Sequence, residues 1–290
     1  MKKFKLTKET QRMKINEYLK DIQNYSSRSM RQIKVYLNGK EVKLTKKLPS
    51  SGFLRVLEKE KGTNIEPIQL PLDIIYEDND LLILNKQPFM LTHPTLKKVD
   101  STLANGIVYY FNNKYGKDLV PRFYNRLDMN TSGLIVVTKT SFAQAYLQNH
   151  SKFEKKYLAI VNGIFDEKEV VVEKPIYRDG DKLERIIDER GQESKTVFRL
   201  IKNFPEKNVS LIECELFTGR THQIRVHLKS EWHTIVGDDL YGDGNKIEGV
   251  ERQFLHAYKI KFTHPVSNEE MSFEIPMYDD MRIFLEKYQG

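Results

Sequence analysis

The chain has 290 residues, of which 39% are hydrophobic and 11% aromatic, enough apolar material for a packed core and too much for a disordered chain. A single cysteine, Cys214, excludes an internal disulfide framework and any multi-cysteine metal cluster. The net charge of +7 is unevenly spread: residues 1–61 carry 17 basic and 6 acidic residues, a net of +11, and the rest of the chain is net −4. That is the pattern of a polyanion-binding appendage on a near-neutral body, and equally of a solubilising tail, which charge alone does not separate. No apolar stretch approaches the ~20 residues of a membrane span, and MKKFKLTKET carries no signal-peptide pattern, so a soluble, cytoplasmic protein is expected.

In chain order, Ile15, Leu19 and Ile22 recur at helical spacing and predict a helix over 13–23. Ser26 and Ser27 are predicted to cap a second helix, with Met30 and Ile33 inward and Arg28, Arg31 and Lys34 exposed. VYLNGKEV follows, and its Asn38-Gly39 pair predicts a hairpin. The charged run EKEKG with Pro67 and Pro71 predicts a linker over 62–71, between a module of residues 1–61 and a main domain of residues 72–290. DIIYEDNDLLILNKQ reads as two strands around a polar turn at 77–80, and Leu103, Ile107, Val108 and Tyr110 predict a helix over a core.

PRFYNRLDMNTSGLIVVTK joins turn chemistry at Asn130-Thr131-Ser132-Gly133 to a buried strand at Leu134–Val137. Asp128 therefore sits in a loop feeding a core strand, and pattern alone reads it as a turn aspartate paired with Arg126. Ser141 with Gln144 predicts a capping box for a short helix presenting Phe142, Ala145 and Tyr146. KKYLAIVNGIF predicts a strand with Tyr157 among core positions, and LIECELF a strand burying Cys214. Further short strands are predicted in SKTVFRLIKNF, YKIKFTHP and MSFEIP, and a last helix over 279–288. Many strands with few, scattered helices predict an α+β fold with a mixed, mostly antiparallel sheet.

FTGRTHQIRVHLKSEWHTIVGDDLYG places a turn at Thr218-Gly219-Arg220. Thr221, His222, Gln223 and Arg225 then stand close ahead of a short helix, a group suited to phosphate and sugar contacts. His222 and His227 lack the spacing of a metal pair, and no metal is expected. No phosphate-binding loop, dinucleotide fingerprint or nucleophile elbow is present.

Four stretches carry a resemblance: RLDxxTSGL from Arg126, KxYLAxVxG from Lys155, TGRTHQIRVHL from Thr218 with VGDDLYG, and LHAYKIKFTHP from Leu255. Together, and in this order, they are similar to the RluA/RluD-type family of RNA pseudouridine synthases, over roughly residues 72–286. The resemblance implies a catalytic domain with a central cleft that isomerises uridine to pseudouridine in ribosomal or transfer RNA. It implies base flipping and no cofactor, and a monomer is expected. Asp128 matches the catalytic aspartate, Tyr157 the tyrosine lying against the base, and Arg225 the basic partner of the aspartate. Arg126 matches the arginine that enters the vacated stack, and Arg220, Thr221, His222 and Gln223 belong to the RNA-facing segment. Residues 1–61 resemble a small α/β S4-type RNA-binding module, which would put Arg28, Arg31 and Lys34 toward RNA.

Two departures stand out. Asn125 occupies a position where many members carry His, and Phe89 stands where the family has glycine. A β-carbon is unfavourable there if the turn needs positive φ, so a different loop path is expected. A catalytically silent RNA-binding or ribosome-assembly factor is the competing reading. A glycosidase would need a second carboxylate across the bond. The family offers two roles for Asp128, attack on C1′ or removal of the 2′ proton, and the sequence leaves both open.

Overall fold

The computed structural model describes residues 2–25, 27–31, 33–58, 62–94, 101–116, 119–242, 244 and 247–287. The basic N-terminal stretch folds as β1 (Lys2–Leu6), α1 (Ile15–Glu17) running into a wider π turn (Tyr18–Ile22), α2 (Ser27–Met30), β2 (Ile33–Leu37), β3 (Lys40–Val42) and β4 (Gly52–Glu58). The four strands form an antiparallel sheet in the order β1-β4-β2-β3. Asn38 and Gly39 both have positive φ, as a tight two-residue hairpin turn demands, and join β2 to β3. The helix expected over 13–23 is corrected in its register. Gln23 donates to Tyr18 O, five residues back, and the widened turn leaves Ile22 exposed while Ile15 and Leu19 stay buried. Ser26 and the side chain of Arg28 lie outside the described residues. β1 and β4 were not expected.

The main body follows with β5 (Ile74–Glu77), β6 (Leu81–Lys86), α3 (Leu103–Tyr115), β7 (Arg122–Phe123), β8 (Ser132–Thr138) and α4 (Ser141–His150). It continues with β9 (Glu154–Asn162), β10 (Glu169–Glu173), β11 (Ile176–Arg178), β12 (Arg185–Ile187), β13 (Lys195–Phe204) and β14 (Val209–Leu216). It ends with α5 (Gln223–Ser230), β15 (Leu255–Thr263), β16 (Glu270–Glu274) and α6 (Asp279–Glu286). One large sheet runs β10-β13-β14-β9-β15-β8-β6-β5, with β16 on β15 and β7 on β8, while β11 and β12 form a separate hairpin. Among the described strands only β8 and β15 pair in parallel, which gives the mixed, mostly antiparallel sheet of an α+β fold. Residues 62–71 form no strand or helix, yet they are tied to α3: Asn105 donates to Glu66 O at 2.8 Å.

β8 is buried at every position because both its faces are covered. Ile135 and Val137 pack with Leu103, Ile107 and Phe111 of α3, and Leu134 and Val136 with Ala143 and Leu147 of α4. The cap of α4 is Thr140, whose Oγ1 accepts from Ala143 N at 3.1 Å, one residue ahead of the expected Ser141. The buried face of α4 is Phe142, Ala143 and Leu147 rather than Phe142, Ala145 and Tyr146. Phe142 lies 4.6 Å, ring to ring, from Tyr25 and joins the apolar core of the N-terminal unit. In the middle of the large sheet Cys214 of β14 lies opposite Tyr157 of β9, fully buried. Among the described residues no helix is long and apolar enough to cross a membrane.

Candidate active site

Asp128 lies in the loop between β7 and β8, and the backbone of that loop is pinned from three directions. Thr92 Oγ1 donates to Leu127 O at 3.2 Å. Lys86 Nζ donates to Met129 O at 3.0 Å and to Gln87 O and Met90 O at 2.9 Å. Arg252 Nη1 donates to Asn130 O at 3.0 Å, while its Nε and Nη2 hold Asp280 of α6 at 2.6 and 2.8 Å. Lys86 and Arg252 are both only 1% exposed. Burial, then the charge of Arg252, bring the Lys86 pKa down to about 7 against the opposing pull of Asp128. Asn125 spans the same loop and β8: its Oδ1 accepts from Val136 N at 2.8 Å and its Nδ2 donates to Leu134 O at 3.0 Å. An amide serves here because it offers a donor and an acceptor at once.

The carboxylate of Asp128 keeps 30% of its surface open, and its Oδ2 accepts from Arg225 Nη1 at 2.9 Å. Arg225, on α5, also donates through Nε and Nη2 to the two oxygens of Asp238, both at 2.7 Å. Asp238 is itself buried, and its Oδ1 accepts from Leu240 N and Tyr241 N, each at 3.0 Å. Burial works against the charge of Arg225, but Asp238 and then Asp128 outweigh it, and the guanidinium stays charged. The pairing of Asp128 with Arg126, suggested by spacing alone, does not form. Arg126 is exposed on the wall of the same cleft.

Tyr157, on β9, is buried and lines the same cleft as Asp128. Burial first and the Asp128 charge second push its phenol up, so it stays protonated near neutral pH. His222 caps α5 in a left-handed conformation with φ 57°. Its Nδ1 lies 2.8 Å from Tyr241 Oη and its Nε2 3.9 Å from Asp128 Oδ2. Tyr241 Oη also accepts from Arg185 N at 2.7 Å, and in the tautomer that takes the Tyr241 proton at Nδ1 the ring N–H of His222 faces the cleft from Nε2. Burial lowers the His222 pKa, with Asp128 opposing.

The cleft has a volume of about 1040 Å³, and Asp128, Tyr157, Arg225, Arg126, Arg220 and His222 all line it. Thr221 borders it too. Gln223, expected to face RNA, is 2% exposed and its amide is consumed inside the protein. It accepts from Thr218 Oγ1 and Arg220 N and donates to Lys195 O and Thr196 Oγ1, all within 3.0 Å, so it knots the loop together. Arg31 is exposed and Lys34 pairs with Glu41 at 3.3 Å, neither bordering the cleft. His227 bonds to Thr196 Oγ1, Ser194 Oγ and Lys174 O and shares no partner with His222. Phe89 keeps φ at 60° and is 53% exposed, so the loop retains the left-handed turn instead of taking another path. Sequence reading gave no role to Lys86, Asp238, Tyr241 or Arg252. Of these only Asp238 had a local signal, an Asp at the head of a turn able to accept from the N–H groups that follow.

Residues 80–230 match the RNA pseudouridylate synthase family. The chain is 38% identical over 235 residues to the ribosomal large subunit pseudouridine synthase D of Zymomonas mobilis, covering 75% of this chain and 73% of that protein. It is 32% identical over 285 residues to the uncharacterized RNA pseudouridine synthase YlyB of Bacillus subtilis, covering 94% and 93%. The solved structure of human RNA Pseudouridylate Synthase Domain Containing 1 matches with a TM-score of 0.56 and 26% identity, over 74% of this chain and 86% of that one. With four motifs in order and a cleft gathered around one carboxylate, the chain belongs to the RluA/RluD-type RNA pseudouridine synthases, which isomerise uridine to pseudouridine in RNA.

Proposed function

We propose that Asp128 is the acid acting at the ribose of a flipped uridine, that Tyr157 and Arg225 complete the catalytic group, and that the substrate is ribosomal RNA. The observation that carries this is the state of Asp128, a carboxylate open to a cleft while its loop and its guanidinium partner are both immobilised. The reaction breaks the N1–C1′ bond, turns the base and forms the C5–C1′ bond; the C5 proton leaves and N1 gains one. A fixed carboxylate beside C1′ and C2′ serves either attack or 2′ deprotonation. Taking the uridine out of its stack costs a few kcal/mol, less in a loop or bulge. The exposed Arg126 filling the gap and Tyr157 under the base would offset that cost. Ribosomal RNA is supported by the name of the Zymomonas relative.

The same reading takes residues 1–61 as an S4-like RNA-binding module, joined through 62–71 to a catalytic domain of 72–290, in a cytoplasmic monomer. The helix–helix–hairpin order and the net charge of +11 support it. The test is Asp128→Asn. Pseudouridine formation in purified RNA is expected to fall at least about 10³-fold while RNA affinity stays within a few-fold. Turnover by the variant would refute the assignment, and a wild-type protein that binds RNA without turnover would favour the silent assembly factor. Mapping pseudouridines in total RNA from cells with and without the gene identifies the target.

A further inference from the structure

β9 carries two neighbouring lysines whose surroundings differ sharply. Lys156 points to the sheet face away from the cleft and pairs with Glu213 at 2.9 Å. Its surroundings are saturated with such pairs, among them Arg199–Glu215 at 2.6 Å and Lys259–Glu274 at 2.7 Å. Lys155 projects to the other face, the one shared by Tyr157 two residues on, and lines the cleft. Among the described residues its side chain has neither a hydrogen bond nor an ion pair, and its backbone pairs with Ile260 of β15. It is partly buried, and burial lowers its pKa with no carboxylate to oppose the shift. Of the other cations lining the cleft, Arg225 is held by two carboxylates and Arg185 by backbone carbonyls, while Arg220, bonded through Nε to Glu193 O at 3.1 Å, and Arg126 are exposed at its wall.

A half-enclosed ammonium without a counter-charge lowers stability, so a protein that keeps one has a use for it. The position says what the use is. Tyr157 and Asp128 mark where base and ribose lie, and Lys155 stands about 7 Å along the strand from Tyr157. There its Nζ approaches Gly219, 3.7 Å from where a β-carbon on that residue would stand. The missing side chain leaves room beside the ammonium for a bulky anion. We propose that Lys155 binds a backbone phosphodiester of the RNA adjacent to the flipped uridine. The proposal rests on Asp128 and Tyr157 marking the uridine site.

The test uses the full-length enzyme, Lys155→Met and Lys155→Arg variants, and synthetic stem–loops with a loop uridine. In these RNAs each phosphate near that uridine is replaced in turn by a neutral methylphosphonate. Lys155→Met is expected to weaken binding about 3- to 10-fold at 0.1 M salt and to reduce the slope of log K against log salt by roughly 0.7 to 0.9, with Lys155→Arg restoring both. One methylphosphonate is expected to weaken the wild type by a similar factor and to leave Lys155→Met unaffected. The melting temperature of Lys155→Met is expected to be unchanged or higher, because an uncompensated charge has been removed. Unchanged affinity and slope, or methylphosphonates that weaken both proteins alike, would overturn the proposal. Repeating the binding arm in Asp128→Asn separates the two readings. If the wild type makes no pseudouridine the catalytic reading fails, whereas the phosphate contact is still decided by affinity alone.

Discussion

The guanidinium of Arg225 gives two hydrogen bonds to Asp238 and one to Asp128, so the open carboxylate is aimed by a side chain that another, buried carboxylate holds still. Asp238→Asn keeps the shape of that side chain and removes its charge. A buried cation left short of a partner is expected to lower stability by about 3 kcal/mol, read from denaturant midpoints. Turnover is expected to fall at least about 10-fold through kcat, because Arg225 gains freedom to turn away from Asp128. A variant as stable and as active as the wild type would show that Asp238 does not orient Arg225. This scale also shows what sequence can and cannot carry. Asp128, Tyr157 and Arg225 lie in ordered motifs and are found together in the cleft. The grip of Lys86 and Arg252 on the Asp128 loop ends on backbone carbonyls, and a carbonyl leaves no complementary residue type to be read.

At the scale of elements, the parallel seam between β8 and β15 places the loop. Gly133 has φ of 117°, and a β-carbon there would stand 2.3 Å from Ala257 O, inside any tolerable contact. Gly133→Ala is therefore expected to force the strands apart, with a loss of several kcal/mol in stability and of activity with it. His256, on the same seam, donates from Nε2 to Pro276 O at 3.0 Å and accepts at Nδ1 from Ser132 Oγ at 2.9 Å. Burial chiefly, and then Arg252, hold its pKa down to about 4. The unfolded chain takes up this proton near pH 6.5 while the folded protein does not. The stability from keeping His256 neutral is thus present above pH 6.5 and lost as the pH falls toward 4. A loss of roughly 3 kcal/mol over that window is expected, and His256→Gln is expected to flatten it, as followed by chemical denaturation at each pH. The long buried run of β8 was legible because two covered faces require continuous apolar sequence. The three-residue strands β11 and β12 were not, since so short a segment carries no period.

For the whole molecule, the net +11 unit is fixed to a body of net −4 through Tyr25 and Phe142, so deleting it would also bare an apolar face on α4. A cleaner probe of its part in RNA binding is charge removal at Lys43, Lys46 and Lys47, which are exposed beyond the hairpin. The triple change to Gln is expected to lower the salt slope of RNA affinity by up to about 3 and to leave the melting temperature alone. An unchanged slope would assign that face to solvent. Cys214 adds a practical consequence. Its sulfur is sealed in the central sheet opposite Tyr157, and burial pushes its thiol up, away from the reactive thiolate. A chromogenic thiol reagent is therefore blind to the native enzyme and counts one group per chain only once the strands part. The molecule comes with its own clock for global opening, and adding RNA during labelling measures how far the substrate slows it.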